Sequence, residues 1–109
     1  MKSSCSVAMV VLSMAAITPA FAVDESAATD LLKESRCTKC HATTIERIGP
    51  PFRDIARKYK GKTDAEATIT KHVTVASEVE IDGEMKAHGL VESIDVAQVK
   101  NLVEWILSR

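Results

Sequence analysis

The stretch Cys37-Thr38-Lys39-Cys40-His41, followed by Gly49-Pro50-Pro51-Phe52, decides how this chain is read. Two cysteines two residues apart with a histidine directly behind them admit three chemistries. A dithiol redox switch wants the pair at the start of a helix within a βαβ frame. Here the pair follows a helical pattern, and no sheet pattern surrounds it. A structural zinc site needs four closed ligands. Cys37, Cys40 and His41 supply at most three, adjacent Cys and His make an awkward bite, and His72 or His88 would have to complete the set. The third chemistry is covalent haem attachment, for which C-x-x-C-H is the signature. One helical turn brings both sulfurs to one edge of a porphyrin, and His41 then projects beneath the iron as the proximal ligand.

The beginning of the chain favours the third chemistry. Met1 and Lys2 give a positive start, Cys5 to Ile17 is an uncharged apolar run, and Ala20-Phe21-Ala22 is a small-residue cleavage pattern. The run is shorter than the roughly 20 apolar residues that span a bilayer. We therefore expect residues 1–22 to be a cleaved signal peptide and 23–109 one domain, exported to the periplasm with no stable membrane insertion afterwards. The same run left uncleaved would be a short membrane anchor. Removing Cys5 leaves only Cys37 and Cys40. A disulfide between them would close a very small loop and gain little stability, so a domain this small needs something else in its core. Haem attachment is completed outside the cytoplasm, which agrees with export.

Charge and periodicity bound the rest. The full chain has a net charge of −1, which argues against nucleic acid as a general partner. Its distribution is polar: residues 33–62 carry nine bases and three acids, and residues 63–109 four bases and nine acids. The periodicity is helical nearly throughout. It predicts a first helix over about Ser26–Lys39 with Ala28, Leu31, Leu32 and Ser35 on one face. A second follows with Phe52, Ile55, Ala56 and Tyr59 at i, i+3, i+4, i+7, stopped by Gly61. A third is expected from Asp64, its N-cap, to Val73. The last runs from Ser93 or Asp95 to the end with the stripe Val96, Val99, Leu102, Val103, Ile106 and Leu107. Residues 74–92 read as a long loop with a turn at Asp82-Gly83, and no convincing strand pair is expected. The fold class is all-α.

CTKCH, GPPFRDIARKY (Gly49–Tyr59) and the closing VKNLVEWIL together resemble a small bacterial class I monohaem cytochrome c, over essentially all of Val23–Arg109. The resemblance implies four helices wrapped around one covalent haem c and its iron, held at Cys37, Cys40 and His41. It implies that the Pro50 carbonyl accepts a hydrogen bond from His41 Nδ1, that Phe52 and Ile55 wall the haem, and that Leu102 and Trp105 pack where the last helix crosses the first. The other axial position departs from the family pattern, which has a methionine followed by prolines. Met85 is the only methionine after the leader, yet His88 lies 17 positions before Trp105, closer to the family spacing. The distal ligand is therefore His88 or Met85, with methionine giving the higher reduction potential. His72 is expected to be exposed.

With both axial positions filled by protein, the expected function is a one-electron carrier between donor and acceptor proteins, possible variants including the acceptor of a specific dehydrogenase. Arg36, Lys39, Arg47 and Arg53 would steer partners to the haem edge, with Glu78, Glu80, Asp82 and Glu84 marking a second pole. The alternative is a haem-based sensor whose sixth ligand is displaced by a small molecule. No acid, base or nucleophile constellation points to an enzyme.

Overall fold

Asp24 caps helix α1 (Glu25–Glu34), its carboxylate accepting from the Ala27 amide at 2.9 Å. The computed structural model describes residues 9–15 and 22–109; the proposed cleavage pattern lies mostly outside the described residues. Ala28, Leu31, Leu32 and Ser35 are all buried on one face of α1, as their spacing predicts. The helix does not reach Lys39. Arg36 takes a left-handed conformation (φ 59°), which costs a residue other than glycine about 1–2 kcal/mol. This ends α1 and restarts the chain as a 3₁₀ turn over Cys37–Lys39. A periodicity argument cannot register one reversed φ inside a run of helix formers.

Pro51 supplies a preset φ of −65° in front of α2 (Phe52–Tyr59), and Gly61 (φ 78°) follows its end. In α3 (Ala65–Thr74), Asp64 stands at the N-cap position without bonding a backbone amide; it accepts instead from Thr68 Oγ1 at 3.5 Å. Helix α4 (Val96–Leu107) is capped by Asp95, which accepts from the Ala97 and Gln98 amides at 2.8 and 3.1 Å. Packed against α1, α2 and α3 in turn, α4 is the centre of the domain. Its Leu102 and Val103 are fully enclosed, and Val99, Trp105 and Ile106 are buried around them. Burying each such side chain is worth about 1.5–3 kcal/mol. Val96 is 81% exposed and stands outside the stripe to which its spacing assigned it.

Residues 74–92 correct the sequence expectation. They are not an unpaired loop: β1 (Glu78–Ile81) and β2 (Glu84–Ala87) form an antiparallel hairpin with Ile81 opposite Glu84 and Glu78 opposite Ala87. Asp82 and Gly83, at φ 53° and 80°, are its two turn residues. Asp-Gly suits a two-residue turn because both positions need positive φ. The hairpin is short and β2 is exposed along its length, so its strands lack the clean alternation that marks a half-buried sheet. The fold remains predominantly helical. Two backbone bonds secure the base of this excursion, His88 N–H to the Ser77 carbonyl and Val91 N–H to the Val73 carbonyl, both 2.9 Å. A side-chain tie adds to them, as the buried Ser35 hydroxyl accepts from the Glu92 amide at 2.9 Å.

The α1–α4 crossing is fastened by polar contacts at its rim. Asn101 bonds the Asp24 amide and carbonyl, each at 2.8 Å. Glu25 accepts from Arg109 Nη1 at 2.8 Å and from Trp105 Nε1 at 3.3 Å, while the Arg109 guanidinium lies 4.3 Å from the Trp105 ring centroid. The Arg109 and Trp105 donors hold the Glu25 carboxyl below its usual range. A carboxyl depressed on folding contributes stability that is present above its unfolded pKa and lost as pH falls through its folded one. Thermal melts should therefore show wild type more stable than Glu25→Gln at neutral pH, with the gap closing below the ordinary carboxylate range. A gap independent of pH would contradict this assignment.

Candidate haem site

Backbone bonds of 3.0 Å from His41 N–H and 3.2 Å from Cys40 N–H to the Cys37 carbonyl wind CTKCH into one turn. Both cysteines are half-buried, are not joined as a disulfide, and line the central cavity with His41. Burial pushes the Cys37 thiol above its usual range, with the neighbouring Cys40 adding to the rise. Past His41 the chain doubles back on itself. Gly49 N–H bonds the Cys40 carbonyl at 2.8 Å, Phe52 N–H the Ala42 carbonyl at 2.9 Å, and Arg53 N–H the Thr43 carbonyl at 3.1 Å. Arg47 Nη1 reaches the Thr38 carbonyl at 2.9 Å and Arg53 Nη2 the Thr44 carbonyl at 3.3 Å, so two of the four candidate steering cations are tied to this loop.

These bonds place the Pro50 carbonyl 2.7 Å from His41 Nδ1. A carbonyl only accepts, so Nδ1 carries a proton, and in the neutral ring that leaves the lone pair on Nε2. That is the tautomer of a metal-ligating histidine held by a backbone carbonyl. Gly49 is required for the approach: a Cβ there would stand 2.6 Å from His41 Cε1 and 2.9 Å from Nδ1. Phe52 stacks on the ring at 5.4 Å and meets Trp105 edge-on, also at 5.4 Å, which links His41 to the α4 core.

The cavity has a volume of about 810 Å³, within the range of sites that enclose a cofactor. Its far wall comes from α3, the segment after it, and the hairpin. There His88 faces His41, with ring centroids 6.1 Å apart. Two imidazoles on opposite sides of one metal ion, at about 2 Å per metal–nitrogen bond, would have centroids roughly 6.3 Å apart. The His88 Nδ1 atom and the Ser77 hydroxyl are buried without a hydrogen-bond partner, and such orphans ask for an explanation such as a bound group. The residues present thus fit a haem between His41 and the hairpin base. Among the described residues no three histidines, cysteines or acids converge as ligands of a bare ion, so a closed zinc site is not formed.

Met85 stands elsewhere. It is 59% exposed and does not line the cavity. His72 is exposed, as expected, but its ring also borders the cavity, 4.1 Å from that of His88. Partial desolvation at the cavity wall, then the nearby imidazoles and, for His72, Lys58, push both His72 and His88 below the usual imidazole range, which favours the neutral form that can bind a metal. Sequence reasoning missed Ser77 and set His72 aside. Thr68, Ile69 and His72, spaced i, i+1, i+4, lie along one side of α3 toward the cavity, and that spacing was the available signal for His72.

Comparison with known proteins agrees with this picture. The cytochrome c family model matches residues 26–109. The chain is 33% identical over 79 residues to cytochrome c2 of Rubrivivax gelatinosus, covering 72% of this chain and 92% of that one. It is 32% identical over 93 residues to cytochrome c-551 of Allochromatium vinosum, covering 81% and 94%. Among solved structures, the class 1 cytochrome MtoD of Sideroxydans lithotrophicus ES-1 superposes with a TM-score of 0.76 at 42% identity, covering 80% of this chain and 97% of that one. Cytochrome c552 of Nitrosomonas europaea follows at 0.59 and 29% identity, covering 73% and 96%.

The Gly49 contact yields a direct check. Gly49→Ala must displace the His41 ring or the loop, at about 1–3 kcal/mol for overpacking. Expressed with its maturation machinery, this variant should yield less haem-loaded protein and melt lower than wild type. Wild-type yield and melting temperature would show that the ring is not confined there.

Proposed function

The chain belongs to the cytochrome c family, electron carriers with one covalent haem c, and on that premise we propose that it is a periplasmic shuttle whose iron is held between His41 and His88. Bound there, haem c supplies one reversible electron. The Cys37 and Cys40 thiols provide the two covalent attachments. His41 is the proximal ligand, oriented by Pro50, and Phe52 is the wall beside it. The observation that carries the choice of distal ligand is the 6.1 Å separation of the His41 and His88 rings across the cavity. The exposure of Met85 and its place off the cavity lining support the same choice.

Two protein ligands leave no axial position for a substrate, so these residues serve electron transfer and not bond-making on a bound molecule. The bases Arg36, Lys39, Arg47 and Arg53 cluster in and around CTKCH and its return loop, and complementary charge there speeds encounter with acidic redox partners. Export is supported by the leader pattern in residues 1–22 and by the need to attach haem outside the cytoplasm.

An imidazole in place of a methionine lowers the reduction potential. Replacing His88 by methionine should therefore raise it, by on the order of 100 mV within the roughly 0.8 V that axial ligands span. Replacing Met85 by leucine should leave the absorption spectrum and the potential unchanged. A methionine–iron charge-transfer band in the wild type, lost in Met85→Leu, would overturn the ligand assignment. The mass of the exported protein should correspond to residues 23–109 plus one haem; retention of residues 1–22 would contradict the leader.

A further inference from the structure

The distal wall of the cavity holds two imidazoles, not one. His72 and His88 approach to 4.1 Å between centroids, and both border the space that faces His41. They are carried by unlike elements. His72 sits on α3, which is anchored in the core through the buried Ile69 and Val73 and packs on α4. His88 sits at the foot of a hairpin that pairs chiefly with itself, and β2 is exposed along its length. Elements with few buried contacts open locally at a smaller free-energy cost than the core to which they are attached. An opening that reaches the foot of the hairpin, breaking the His88 N–H to Ser77 carbonyl bond, would carry His88 away and leave His72 in place.

We propose that His72 is a reserve distal ligand, which takes the iron whenever the hairpin carries His88 away. The idea rests on His88 being the resident ligand. In the exchange the His88 imidazole would leave the metal as the His72 imidazole took its place, with no electron transferred. A histidine would thus remain on this side of the iron through hairpin motion. A small molecule that competes for the sixth position then has to displace two histidines in succession, which works against the use of this site as a gas sensor.

The test compares haem-loaded wild type, His88→Ala, His72→Ala and the double variant. His88→Ala should keep the low-spin optical and paramagnetic signature of two imidazoles and refuse CO when reduced. The double variant should become high-spin and bind CO readily. Reduced His72→Ala, whose resident ligand is intact, should take up CO at least about tenfold faster than wild type, because openings are no longer intercepted. This last arm stands even where His88→Ala fails to mature. A His88→Ala protein already as open to CO as the double variant overturns the proposal, and so does CO uptake by His72→Ala at the wild-type rate. A double variant that stays low-spin overturns it too. Failure of the parent reading is seen separately, as methionine ligation in the wild-type spectrum before any histidine is changed.

Discussion

The hydrogen bond from His41 Nδ1 to the Pro50 carbonyl, 2.7 Å long, is the contact from which the rest of the site follows. It fixes the tautomer and the plane of the ring, and it forms only because the chain folds back over its own motif. Gly49 gives the backbone the closeness it needs, and Pro51 then launches α2 in a direction that brings Phe52 onto the ring. Phe52 in turn meets Trp105, so the orientation of one imidazole is tied to the packing of the central helix. A shift at position 49 would be felt in the core, and a loosened core would be felt at His41.

The two sides of the cavity are built to different standards. The His41 side is a turn and a return loop braced by several backbone bonds and a stacked aromatic ring. The opposite side is a hairpin whose strands pack little against any helix and whose base is held by His88 N–H and Val91 N–H. The site is braced on one face and lightly held on the other. On the lightly held side the chain places two histidines, while Met85 is exposed and off the cavity lining.

Much of this was legible in the residues. CTKCH carried the cysteines and His41 because their spacing is local, and the family resemblance carried by GPPF implied the Pro50 contact. The α1 face of Ala28, Leu31, Leu32 and Ser35 and the α4 positions around Leu102 were legible because burial follows helical period. What was not legible depended on single backbone dihedrals or on contacts between elements. Arg36 ends α1 through one left-handed residue, which no apolar pattern reports. Asp82-Gly83 signalled a turn, but flanking strands too exposed to alternate cleanly hid the hairpin. The choice between Met85 and His88 required contacts between elements: His88 lies 6.1 Å from His41 across the cavity, and Met85 is exposed away from its lining. His72 looked like an ordinary helix-surface residue because its neighbour in space, His88, is sixteen positions away in sequence.

The central claim is that nitrogen ligands alone hold the iron from both sides. X-ray absorption fine structure at the iron edge of the oxidised wild-type protein tests it without any substitution. The account predicts a first shell of nitrogen only, from the porphyrin and two imidazoles, since the attachment sulfurs bond the macrocycle and not the metal. A sulfur scatterer in that first shell would place Met85 on the iron and contradict the account.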